Sequence, residues 1–331
     1  METRFYIGTY TGKGSKGMYH GIWQDGALRV TGSTGAVNPS YLTAHQGRLY
    51  AAHETGNGAV TAYRIAPDGA LTQINQQSAG GDSPCHVSAQ GNRLFVSNYS
   101  SGTLGVLELD GDGGLPSPPQ VIAHKGSGPN ADRQEAPHVH QALPTPKGDF
   151  VAVCDLGIDA VCFYPLETQG INTQVQTVQT PGGAGPRHAA FGLDQCWYVL
   201  CELSCEVLMY RGYGNDAKLI QKYRAMRDRN PQNSGAALQL SPDGKLLLAS
   251  IRGENTLVLW DVAADGALSG IRWFDTQGDC PRDAAFTPDG SHVFCACERG
   301  DRVTVFAVRN AQLAFVHTEP VPTPTCVCFV S

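Results

Sequence analysis

Short apolar runs, separated by turns and polar loops, recur along nearly the whole chain in a fixed order. In SYLTAHQGRLYAAHETGNGAVTAYRI (40–65) an apolar run, a Gln-Gly turn, a second apolar run, a polar loop and a third alternating run follow one another. The order returns in CHVSAQGNRLFVSNYSSGTLGVLEL (85–109), HQALPTPKGDFVAVCDLGIDAVCFY (140–164), HAAFGLDQCWYVLCELSCEVLMY (188–210), AALQLSPDGKLLLASIRGENTLVLW (236–260) and DAAFTPDGSHVFCACERGDRVTVFAV (283–308), making six copies. Period-two alternation between turn signals predicts strands. Turn glycines between the first two runs fall at Gly47, Gly91, Gly148, Gly244 and Gly290, with Leu193-Asp194-Gln195 in the remaining place, a spacing of roughly 44 to 57 residues. Asp-Gly-Ala-Leu at 25–28, 68–71 and 265–268 marks a later hairpin into a fourth strand, because Asp-Gly supplies the positive φ of a tight turn.

A unit of that length with about four strands predicts propeller blades, since one small sheet cannot bury its faces without neighbours. The termini complete the count. FYIGTY, GMYHGIW and ALRVTGS resemble strands two, three and four of a unit lacking its first, and PTPTCVCFVS at the other end supplies it. The expected fold is therefore all-β: a seven-bladed β-propeller forming one domain over residues 1–331, closed by pairing of the C-terminal strand with the N-terminal blade. Neither end reads as the polar cap that a linear stack of repeats needs.

Composition narrows the partners. Charged residues are 16% and glycines number 39, a profile of short strands and tight turns. A net charge of −6 and the absence of a polybasic tail argue against nucleic acid. No run approaches the roughly 18 apolar residues of a membrane span, and METRFYIGTY carries charges where a secretory segment would be apolar, so a cytoplasmic location is expected. The eleven cysteines sit largely in strand-like runs such as VAVCDL and VFCACE, where cysteine acts as a small hydrophobe. Cys295 with Cys297 and Cys326 with Cys328 are spaced so that a strand puts both thiols on one face; no CxxC pair supports a zinc site, and no metal is expected.

In a propeller the first strand of each blade lines a central channel, and the loops before strand one and between strands two and three share one rim. The starts of strand one are then Tyr41, His86, His140, His188, Ala236, Asp283 and Cys326, with Arg187 and Arg282 just before two of them. The loops after strand two add Glu54, Asn98 with Tyr99, Asp155, Glu202, Arg252, Glu298 and Arg299. Three imidazoles at one repeat position, with arginines and carboxylates nearby, predict a funnel suited to an anionic ligand. PGGAGP (181–186) and KGSGP (125–129) lack the spacing of a phosphate loop, no GxSxG elbow occurs, and the Trp260-Asp261 pair stands alone without a recurring Gly-His partner.

GAGPRH (183–188), the repeated Pro-Asp-Gly turns, EAPHVHQALPTPKGDFVAVCDLGID (135–159), NYSSGTLGV (98–106) and CPRDAAFTPDG (280–290), taken in order, resemble the seven-bladed lactonase family, best known for 6-phosphogluconolactonase activity. The resemblance implies metal-independent hydrolysis of a sugar lactone without a cofactor, the partner being a small anionic sugar lactone. It implies catalytic roles for His140, Arg187 and Glu202 and substrate-binding roles for Arg252, His86 and Arg282, with His188 of the same rim beside them. Cys201 stands where an Asn often precedes the family's Glu, which bears on the hydrogen bonding of Glu202. The family also includes a fungal lactonizing enzyme of carboxymuconate metabolism, so lactone formation stays open, as does a non-catalytic propeller that binds a protein. The oligomeric state is left open by the sequence.

Overall fold

In the computed structural model, which describes residues 2–24, 26–167 and 170–330, every apolar run of the repeat is a β-strand. The described residues form seven antiparallel sheets of four strands. Sheet one joins the two ends of the chain, in the order Pro324–Val330, Thr3–Thr9, Gly17–Gln24, Ala27–Gly35, with Arg4 opposite Val330 and Phe5 opposite Phe329. Sheets two to seven follow in chain order, starting at Pro39, Pro84, Val139, Pro186, Ser234 and Pro281. The chain is thus the expected all-β, seven-bladed β-propeller, closed by pairing of its terminal strands.

The turns are built as their residues dictate. Gly47, Gly91, Gly148, Gly244 and Gly290 all have positive φ, and in sheet five the left-handed backbone falls on Asp194 and Gln195 instead. Gly69 and Gly266 of the Asp-Gly-Ala-Leu hairpins have φ of 89° and 83°. Asp25, the first residue of the remaining copy, lies outside the described residues.

The chain groups into two compact units. One comprises Met1–Ala36, His188–Gly212 and Lys218–Ser331; the other comprises Val37–Arg187 and Tyr213–Ala217. In the first unit, the second strand of sheet six, Leu246–Arg252, shows why such strands are unbroken apolar runs. Leu247, Ala249 and Ile251 pack with Tyr198 and Met209 of sheet five, while Leu248 on the opposite face packs with Phe286 and Phe306 of sheet seven. Both faces of the strand are buried, so strict alternation gives way to a continuous hydrophobic run. Phe5 and Trp23 of sheet one meet Phe294 of sheet seven edge-on at 5.6 and 5.4 Å. In the second unit, Leu94 and Val96 face sheet two while Phe95 faces sheet four. Fourth strands such as Leu71–Ser78 and Lys218–Arg224 are largely exposed and polar.

All eleven cysteines are free and buried. Cys295 and Cys297 present their sulfurs 3.8 Å apart on one face of their strand, as the spacing predicts.

Candidate active site

The starts of the first strands share a feature that the residue types do not announce. In sheets two, three, four and seven the register slips at this point: Pro39 pairs with His53 but Tyr41 with Ala52, Pro84 with Asn98 but His86 with Ser97, Val139 with Asp155 but Gln141 with Cys154, and Pro281 with Cys297 but Asp283 with Ala296. Ser40, Cys85, His140 and Arg282 are therefore the residues inserted at these register shifts. Such bulges re-aim a side chain at the place where pairing ends. They also correct the sequence alignment, because His140 shares its position with Cys85 and Arg282, and Gln141 is the counterpart of His86. Pro186 opens the strand of sheet five as Pro39, Pro84 and Pro281 open theirs, which by sequence sets Arg187 with the bulged residues and His188 with His86.

In the second unit His86, His140 and Arg187 are all nearly buried. Tyr41 lies against the His86 ring, with centroids 4.3 Å apart, and the Gln141 amide is 3.4 Å from His86 Nε2. Burial, reinforced by the Arg187 guanidinium, lowers the His86 pKa to about 3. His86 is thus a neutral imidazole near neutral pH and offers hydrogen bonds, not charge. The Cys85 thiol points to the carbonyl of His140 at 3.3 Å, so neighbouring bulges touch. Tyr99 stands edge-on to the His140 ring, 5.7 Å between centroids.

In the first unit Glu202 directly follows the second strand of sheet five, Cys196–Cys201, and its Oε2 is 2.9 Å from Arg252 Nη2. The same nitrogen donates to the Gly235 carbonyl at 3.0 Å, while the Gly235 amide donates to the Glu202 carbonyl at 3.0 Å. Gly235 permits this approach, since a Cβ there would lie 2.9 Å from the Cys201 carbonyl oxygen. Cys201 itself is wholly buried. Arg282 donates to Tyr10 Oη at 2.5 Å, lies 5.1 Å from the centre of that ring, and has Glu298 at 3.7 Å. Burial and the Glu298 carboxylate push the neighbouring Cys280 thiol up to about 11. His188 is buried on its strand.

Two of the expected rim groups turn inward. Asp155 is fully buried and accepts hydrogen bonds from the His138 and Gly157 amides while pairing with His124 Nδ1 at 2.7 Å. Asn98 is likewise buried, donating to the Ala79 carbonyl. His138, which sequence reasoning passed over in favour of His140, stacks on Tyr99 at 4.4 Å and 13°. The signal for it was the pair of histidines in EAPHVHQ, two residues apart on an approach to a strand. Among the described residues no group of three or more His, Cys, Asp or Glu is arranged to hold a metal ion, and no helix is long and apolar enough to cross a membrane.

A guanidinium beside a buried carboxylate, as at Arg252 and Glu202, is a pairing that acyl chemistry can use. Residues 4–329 match the family described as lactonase, 7-bladed beta-propeller, and the chain belongs to that family. It is 34% identical over 342 aligned residues to a 6-phosphogluconolactonase of Bacillus subtilis, covering 98% of this chain and 97% of that one. A 6-phosphogluconolactonase of Formosa agariphila is 29% identical across 76% of this chain and 74% of its own. Among solved structures, the periplasmic gluconolactonase of Pseudomonas aeruginosa superposes with a TM-score of 0.92 at 30% identity, covering 100% of this chain and 99% of that one.

Proposed function

We propose that this protein hydrolyses a sugar lactone and that the substrate is 6-phosphogluconolactone, opened to 6-phosphogluconate. Membership of the lactonase family and the activities named for its relatives support the reaction class. The observation that carries the chemistry is the buried Glu202–Arg252 pair, a carboxylate able to accept a proton beside a guanidinium able to hold an oxyanion.

In the reaction, water attacks the ring carbonyl and passes a proton to a base, Glu202 or His140. The carbonyl oxygen gains charge that Arg252 or Arg187 stabilises. The ring C–O bond then breaks, its oxygen leaves as a hydroxyl after taking up a proton, and the new carboxylic acid releases one to solvent. His86, His188 and Arg282 complete the proposed substrate-binding set, His86 as a neutral hydrogen-bonding group. A cytoplasmic location is favoured by eleven free thiols, which persist in a reducing compartment; cell fractionation tests it.

Because each turnover releases acid, a pH-stat reads the reaction directly. Wild type is expected to accelerate opening of the phosphorylated lactone above its spontaneous rate, and Arg187→Ala to lower kcat/KM by about a hundredfold or more. No acceleration by wild type on phosphorylated or unphosphorylated gluconolactone would overturn the reading.

A further inference from the structure

The segment from Lys125 to His138, joining the fourth strand of sheet three to the first strand of sheet four, has no regular structure yet is firmly fixed. Gln134, wholly buried, donates to the Leu156 carbonyl at 2.8 Å, and its Oε1 accepts the Asn130 amide at 3.2 Å. The Asp155 carboxylate holds the His138 amide at 2.7 Å. Gly102 and Gly157 make room for the segment's backbone: a Cβ on Gly157 would lie 1.9 Å from the Ala136 carbonyl oxygen, and one on Gly102 2.6 Å from that of Pro137.

What this strap delivers is a compact set of donors around Tyr99. Arg133 Nη2 reaches Tyr99 Oη at 3.3 Å, and His138 lies flat on the same ring. The His138 nitrogens face two acceptors, the Tyr99 carbonyl at 3.1 Å and Glu135 Oε1 at 3.2 Å. The other face of the arrangement adjoins His140 through Tyr99. Glu135 is the one carboxylate in the set, and its side chain is 57% exposed. Its own backbone amide and the His138 ring hold it below the usual carboxylate range. A solvent-facing acid paired with one buried imidazole has little to lose by swinging away.

Resting on the lactonase reading, we infer that Arg133, His138 and the Tyr99 hydroxyl form the receptor for the substrate's phosphate monoester, with Glu135 occupying the anion position until substrate displaces it. A phosphate dianion fits because it accepts several charge-assisted bonds at once, where a sugar hydroxyl accepts few.

Calorimetric titration with 6-phosphogluconate, gluconate and inorganic phosphate tests this without needing turnover. Wild type is expected to bind 6-phosphogluconate more tightly than gluconate, and Arg133→Met to shrink that preference by about tenfold or more. Arg133→Lys restores part of it, and Glu135→Gln, which removes the competing anion, tightens 6-phosphogluconate about threefold. Thermal melts of each variant separate a lost site from a lost fold. Equal affinity of wild type for the two acids, absent binding of both, or a preference that survives in folded Arg133→Met overturns the proposal. A protein that hydrolyses gluconolactone but shows no phosphate preference keeps the lactonase reading and loses this one; a phosphate preference without hydrolysis does the reverse.

Discussion

His86 illustrates how a buried ring changes role with its surroundings. Its pKa falls from 6.5 to about 3 through burial and then through Arg187. Between those values the unfolded chain binds a proton that the folded chain refuses, so acidification through that window costs folding stability, up to about 1.4 kcal/mol per pH unit. Above the upper value both states hold a neutral ring and no dependence remains. His53 and His292 are lowered as well, each mainly by burial, so the informative quantity is a difference. Urea unfolding of wild type and His86→Gln at several pH values is expected to show the variant gaining on wild type as pH drops below the upper value. Parallel curves would mean that His86 does not carry the shift.

At the scale of elements, two features decide where chemistry can sit: the bulged start of the first strand and the strap before sheet four. Much of the first strand was legible. Apolar runs and turn glycines located it, because burial on both faces and left-handed turns each leave a residue-type imprint. The bulge was not legible as such. It inserts a residue without demanding any type, so Ser40, Cys85, His140 and Arg282 look unrelated, and only the prolines at 39, 84, 186 and 281 mark the shared frame. Asp155 read as a rim carboxylate for a similar reason: a loop acid has the same letter whether it meets solvent or, as here, caps the His138 amide. Arg133 lies in a stretch with no periodicity, which hid it, and His138 showed only through the histidine pair of EAPHVHQ. The strap also yields a steric prediction. Gly157→Ala would drive a methyl into the Ala136 carbonyl, displacing 136–138 and costing about 1–3 kcal/mol. A melting temperature equal to wild type would show that the strap gives way freely.

For the whole molecule, sheet one matters most, since it draws strands from both ends. Removing Pro324–Val330 would unpair the Thr3–Thr9 edge and leave Asp283, which accepts the Val327 amide at 2.8 Å, buried without that donor. The truncated chain is expected to aggregate or to lose its cooperative melt, as checked by size-exclusion chromatography and circular dichroism; a well-folded monomer would refute this. We also propose that residues 1–331 act as one domain. A single calorimetric transition is expected, and two separate ones, one for each compact unit, would end that reading.

The shared sheet has a temporal side. On the ribosome Thr3–Thr9 emerges long before the strand that lies beside it, Pro324–Val330. In the interval between them the edge of Thr3–Thr9 that Pro324–Val330 will cover is exposed, and an unpaired strand edge is prone to pair wrongly until its partner arrives.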